Sequence, residues 1–160
     1  MRERTIASHF VRAALRGAER HGLDYTPLLR QLNIQPALLD EPRARIAPEQ
    51  FASLMQLLWE SLDDEFMGFG RQRSKRGTFA MMCYAIIHCR SLEKALTRGG
   101  LFYSLFPDAP SIRLSREGDW ARLTVDDSNL WDPDHFLVES LLVIWHRLGS
   151  WLIGQRIRLE

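Results

Sequence analysis

A chain of 160 residues, 46% hydrophobic and 26% charged, fits one globular domain with a core large enough to enclose a small ligand. Its 21 basic and 20 acidic residues leave a net charge of +1, which excludes a dedicated nucleic-acid reader because such a protein needs a basic face against phosphate. No apolar signal core follows the charged start, and the most apolar stretch, residues 136–153, carries Glu139, His146 and Arg147, so neither a secretory leader nor a membrane span is read.

The first helix is predicted over residues 6–21, with Phe10, Val11, Ala14, Leu15 and Ala18 on one face and arginines on much of the rest. Gly22 stops it. Thr26 then reads as the cap of a short leucine-rich helix with Pro27 at its first position. This pair of helices has a helix-turn-helix outline, but its second member lacks polar side chains that read bases. Pro48 opens the next helix, which buries Phe51, Leu54, Met55, Leu58 and Leu62 and ends at Asp63, Asp64 and Glu65. The basic segment 71–76 is expected to be an exposed loop.

Residues 78–89 are apolar nearly all round and therefore predict a central, buried helix. Ser91 caps the helix after it. Gly99 and Gly100 inside that helix each cost about 1 kcal/mol against alanine, so they point to close packing or a kink. Alternation then takes over in residues 112–116 and 120–125 around Gly118-Asp119, the clearest hairpin of the chain. Asp132-Pro133 caps a long helix predicted over residues 133–153, and residues 155–160 read as the start of a third strand. A sheet that stops there suggests a fragment of a longer protein. The predicted fold is α+β: a helical N-terminal half, plus a small antiparallel sheet packed on long buried helices, within one domain spanning residues 1–160.

Several segments, taken in order, resemble the N-terminal arabinose-binding-like domain of AraC-type transcription regulators, the helical kind rather than the cupin-type sensor. They are Leu29 to Ile34 with Leu38-Leu39, where Asn33 stands in place of the usual glycine; Arg45-Ile46-Ala47-Pro48 with Phe51 and Leu54; Met67-Gly68-Phe69; Gly77-Thr78-Phe79-Ala80; and Ser91-Leu92 with Ala95-Leu96. The resemblance covers essentially the whole chain. It implies a small-molecule effector, a homodimer, and contact with DNA only through a separate C-terminal helix-turn-helix domain. It implies no enzymatic activity and no cofactor, in a cytoplasmic protein.

For the effector, the long helix offers His135, Glu139, His146 and Ser150, which at 3.6 residues per turn fall within about 60° of one another on an apolar background. Polar groups in a mostly apolar cavity orient a small molecule. Arg147, off this stripe, is suited to a carboxylate. Met81 and Tyr84 on the apolar helix and Trp131 beside the long helix's cap complete the candidate ligand-binding set. The stripe has an equally simple reading as a solvated or internally paired face. No metal is expected, because His135, Glu139 and His146 do not make a compact ligand set and Cys83 and Cys89 diverge around their helix. Those cysteines lie about 9 Å apart along it, too far for a disulfide, and read as free thiols of a reducing compartment. Two other readings stay open: a dimerisation module without an effector, and a small enzyme in which His135 or His146 meets Glu139.

Overall fold

The computed structural model describes residues 5–159, which fall into two compact units, one running to Phe69 and including residues 73–76, the other comprising residues 70–72 and those from Gly77 onward. Among the described residues there are six α-helices and two small antiparallel sheets, an α+β architecture. No helix among them is long and apolar enough to cross a membrane.

In the first unit β1 (Ile6–Ala7) pairs with β2 (Arg45–Ile46), Ile6 opposite Ile46. Helix α1 (Ser8–Arg20) buries Val11, Ala14, Leu15 and Ala18 as the spacing predicts. Phe10, expected beside them, is exposed, because it lies at the edge of that arc. In α2 (Thr26–Gln31) the cap is not Thr26 but the carboxylate two residues earlier: Asp24 Oδ1 accepts the Thr26 N–H at 2.9 Å. Asn33 follows with φ 55°, a left-handed backbone that asparagine tolerates, which accounts for its standing where glycine is usual.

Helix α3 (Pro48–Leu62) begins at the proline, and Gln50 reaches back to accept the Ala47 N–H at 3.0 Å while donating to the Leu32 carbonyl at 2.9 Å. The acidic run after it is more than a helix stop. Asp64 is buried and accepts three backbone N–H groups: Phe66 at 2.9 Å, Gly68 at 2.8 Å and Ser74 at 2.7 Å. This carboxylate folds the following loop onto α1, where Gly17 and Gly68 meet backbone to backbone; a Cβ on Gly68 would lie 2.5 Å from the Gly17 carbonyl oxygen. The segment 71–76 is exposed as expected except at Ser74, which this pin draws inside.

In the second unit α4 (Thr78–Ile86) is followed by α5 (Leu92–Tyr103), the hairpin β3 (Ser111–Glu117) with β4 (Trp120–Asp126), and α6 (Phe136–Leu152). Ser91 caps α5 by accepting the Lys94 N–H at 3.3 Å. The hairpin register runs from Ser111 opposite Asp126 to Glu117 opposite Trp120. The glycines of α5 are close-packing residues: a Cβ at Gly100 would stand 2.2 Å from the Ile112 carbonyl oxygen of β3, and one at Gly99 would stand 2.7 Å from the Trp145 ring of α6.

Two expectations are corrected. Helix α4 is not a fully buried one: Met82 and Ile86 are buried, while Met81, Tyr84 and Ile87 are exposed. Apolar residues all round a helix say that it avoids water, but only the layers present can cover it, and α4 packs against α5 on one side. Residues 155–159 form no strand. The Ile157 backbone is bonded instead to side chains of α6, and Glu160 lies outside the described residues.

Candidate functional site

The predicted ligand-binding residues all belong to the second unit, and α6 sorts four of them. The core side of α6 is Phe136, Leu137, Leu141, Trp145 and Gly149. Glu139 and Arg147 lie on the opposite side and are exposed. Of the predicted stripe, Glu139 is exposed and His146 and Ser150 are half-buried, all three off the core side of α6.

His135 is not inside the helix. It occupies the N-cap position with φ 55° and its Nδ1 lies 3.8 Å from Asp127 Oδ2, both side chains exposed. Helix α6 begins one residue later, at Phe136, capped by Asp132, whose Oδ2 accepts the Val138 N–H at 3.0 Å. Burial pushes the Asp132 carboxyl above its ordinary value, against backbone hydrogen bonds that pull it down, and its Oδ1 is buried without a partner. Trp131, just before this cap, is exposed.

His146 and Ser150 are engaged with the chain itself. His146 Nε2 lies 2.9 Å from the Ile157 carbonyl oxygen, and Ser150 Oγ accepts the Ile157 N–H at 3.1 Å. One residue thus has both backbone groups held by α6 side chains one turn apart, and the Ile157 side chain lies over Gly149, 3.2 Å from where a Cβ would stand. Sequence reasoning missed this because periodicity reveals which side chains share a face but not what lies on it. The residue at the centre of the unit was also passed over. Trp145 is 1% exposed, its ring packs near Tyr103 with centroids 6.3 Å apart, and its Nε1 is buried without a partner.

Met81 and Tyr84 share the outer side of α4, Tyr84 70% exposed, while the inner side of α4 converges with Trp145 on Gly99 through Met82. The structure thus brings Met81 and Tyr84 together on one face and separates Glu139 and Arg147 from the core. Neither His135 nor His146 pairs with Glu139: their partners are Asp127 and Ile157. Among the described residues no group of three or more His, Cys, Asp or Glu side chains is arranged to hold a metal ion.

A profile describing the arabinose-binding domain of AraC transcription regulators, N-terminal, matches residues 22–160. The chain belongs to this family. It is an AraC-type regulatory, ligand-sensing domain, as the ordered motifs from Leu29 onward imply. No curated protein and no solved structure gives a significant match to it. The AraC-type motifs fall on the structural joints just described: Asn33 at its left-handed turn, the Pro48 start of α3, Gly68 against Gly17, and the Ser91 cap of α5. They are residues of folding, which is why they mark the family without naming its ligand.

Proposed function

We propose that residues 1–160 act as one regulatory domain of a cytoplasmic AraC-type regulator, binding a small-molecule effector and associating as a homodimer, and so biasing DNA binding by helix-turn-helix elements elsewhere in the regulator. The observation that carries this reading is the family match over residues 22–160. The domain is a sensor in this reading, not an enzyme. Effector contact is assigned to Met81 and Tyr84 on the outer side of α4 and to Trp131 and His135 beside the start of α6, exposed apolar side chains with a few polar groups among them. His146 is assigned instead to holding residues 155–159.

Thermal unfolding with L-arabinose, an amino-acid set and fatty acids tests the sensing part. A ligand at a hundred times its Kd stabilises by about 2.7 kcal/mol, which in a chain of this size raises Tm by roughly 5–11 °C. One of these classes is expected to produce such a shift, and Tyr84→Ala is expected to abolish it while leaving the unliganded Tm in place. No shift with any class overturns the sensing reading.

A further inference from the structure

The near-neutral charge of the chain conceals an uneven distribution. Residues 108–134 carry seven acidic side chains against three arginines, whereas residues 87–98 and 154–159 carry five cations against one acid, Glu93. The fold brings these two basic segments together at Gly149 of α6. A Cβ there would stand 3.2 Å from the Ile157 side chain and 3.6 Å from that of Leu92. Arg156 and Arg158 flank Ile157, Arg90 and Lys94 lie either side of Leu92, and Arg98 follows Lys94 one turn along α5. All five cations are exposed. Arg98 donates to the Ala85 carbonyl at 3.3 Å, and the other four side chains make no ion pair or hydrogen bond among the described residues.

The stability of α5 does not call for its charges. Lys94 stands in the first turn of α5, where the helix dipole disfavours a cation, and Lys94 with Arg98 sets like charges one turn apart. Arg156 and Arg158 extend from a fixed backbone, because His146 and Ser150 hold both backbone groups of Ile157 between them. We propose that this end of the second unit is a phosphate-contacting surface, by which the regulatory domain itself meets the backbone of duplex DNA. Four of the five cations are arginine, whose planar fork suits phosphate oxygens. Contacts to phosphate fix position and add affinity but carry no sequence preference. An acidic protein surface offers the same sign of charge; duplex DNA is favoured because the chain belongs to a family of transcription regulators, which act on DNA. The proposal goes beyond the function given above, in which DNA is met only by helix-turn-helix elements elsewhere in the regulator.

Fluorescence anisotropy of a labelled duplex of arbitrary sequence, titrated with the chain at rising salt, tests it. Binding is expected at about 50 mM salt and should weaken with a log–log slope of about −4, since each neutralised phosphate contributes about −0.9. R90E/K94E and R156E/R158E are each expected to weaken binding about tenfold or more and to flatten the slope by about two. R30E/R43E makes the same change of charge at exposed sites of the first unit and is expected to leave both quantities nearly unchanged. Circular dichroism confirms that each variant folds, and the two variants of the basic end test the surface independently. Absence of binding at about 50 mM salt overturns the proposal and leaves the sensing reading untouched. An equal loss in R30E/R43E shows a response to net charge alone and overturns the surface. Displacement of the duplex by poly-L-glutamate as effectively as by unlabelled duplex, at equal charge, assigns the surface to an acidic protein and overturns the DNA partner.

Discussion

Removing the Asp64 carboxylate tests the organisation of the first unit most directly. Asp64 is 2% exposed and is the acceptor for the N–H groups of Phe66, Gly68 and Ser74. In Asp64→Ala each of these loses its partner, and a buried unsatisfied N–H costs about 1–3 kcal/mol. The sum is reduced by water entering the space and by relief from burying a carboxylate, leaving a net loss of about 3–5 kcal/mol, the size seen when a buried network is broken. That corresponds to a fall of roughly 6–20 °C in Tm. Asp64→Asn discriminates further. Its carbonyl still accepts from Phe66 and Ser74, but its amide group faces the Gly68 N–H, donor against donor, so it is expected to fall between wild type and Asp64→Ala. Thermal unfolding gives the magnitude, and hydrogen exchange gives the place: the amides of Phe66, Gly68 and Ser74 should lose protection together. A loss below about 1 kcal/mol with those three amides still protected refutes the reasoning.

Gly100→Ala is expected to destabilise by about 1–2 kcal/mol, because overpacking against the Ile112 carbonyl outweighs the helical gain of alanine. Gly149→Ala meets only flexible side-chain tips, those of Ile157 and Leu92, and is expected to be neutral or slightly stabilising; chemical denaturation of the pair checks the contrast. Tyr25 donates to Glu19 at 2.8 Å, and that bond together with burial pushes its phenol up to about 12. The folded chain therefore holds this proton longer than the unfolded one, so the associated stability is full below pH 10 and is lost as pH rises through about 12. Ultraviolet titration should show one phenol, missing in Tyr25→Phe, ionising near that value. Asp132 has the opposite consequence at neutral pH. Its raised carboxyl means the folded state resists ionisation, so stability falls as pH rises from 3.8 through its folded value and the penalty is full above it. Asp132→Asn is expected to be at least as stable as wild type at pH 7, with the difference vanishing as pH falls toward 4; a variant less stable at pH 7 contradicts this. His146→Ala with Ser150→Ala is expected to free residues 155–159, seen as faster amide exchange at Ile157 with little change in Tm.

Much of the fold was legible because it depends on local patterns. Alternation around Gly118-Asp119 gives the hairpin, Pro48 the start of α3, Ser91 the cap of α5, and paired glycines the close approach of α5 to its neighbours. What was not legible depends on which parts of the chain return to meet. Asp63, Asp64 and Glu65 look alike in sequence, and only the return of Ser74 makes Asp64 the pin. The exposed outer side of α4 was unreadable for a related reason: apolarity measures the wish for cover, not the cover available. On α6, a side chain that bonds to a ligand and one that bonds to Ile157 have the same spacing.

The circumference of α6 shows how these limits connect to function. A helix apolar on nearly every side must have each side covered or guarded. The core takes Phe136, Leu137, Leu141 and Trp145, and the Ile157 segment takes the flank at Gly149. On the remaining side, Glu139 and Arg147 stand either side of Val143. The same helix also holds residues 155–159 through His146 and Ser150. Any shift of α6 that alters its outer contacts therefore carries that segment with it, since two side-chain bonds on adjacent turns fix the backbone of Ile157 to the helix rather than to the sheet.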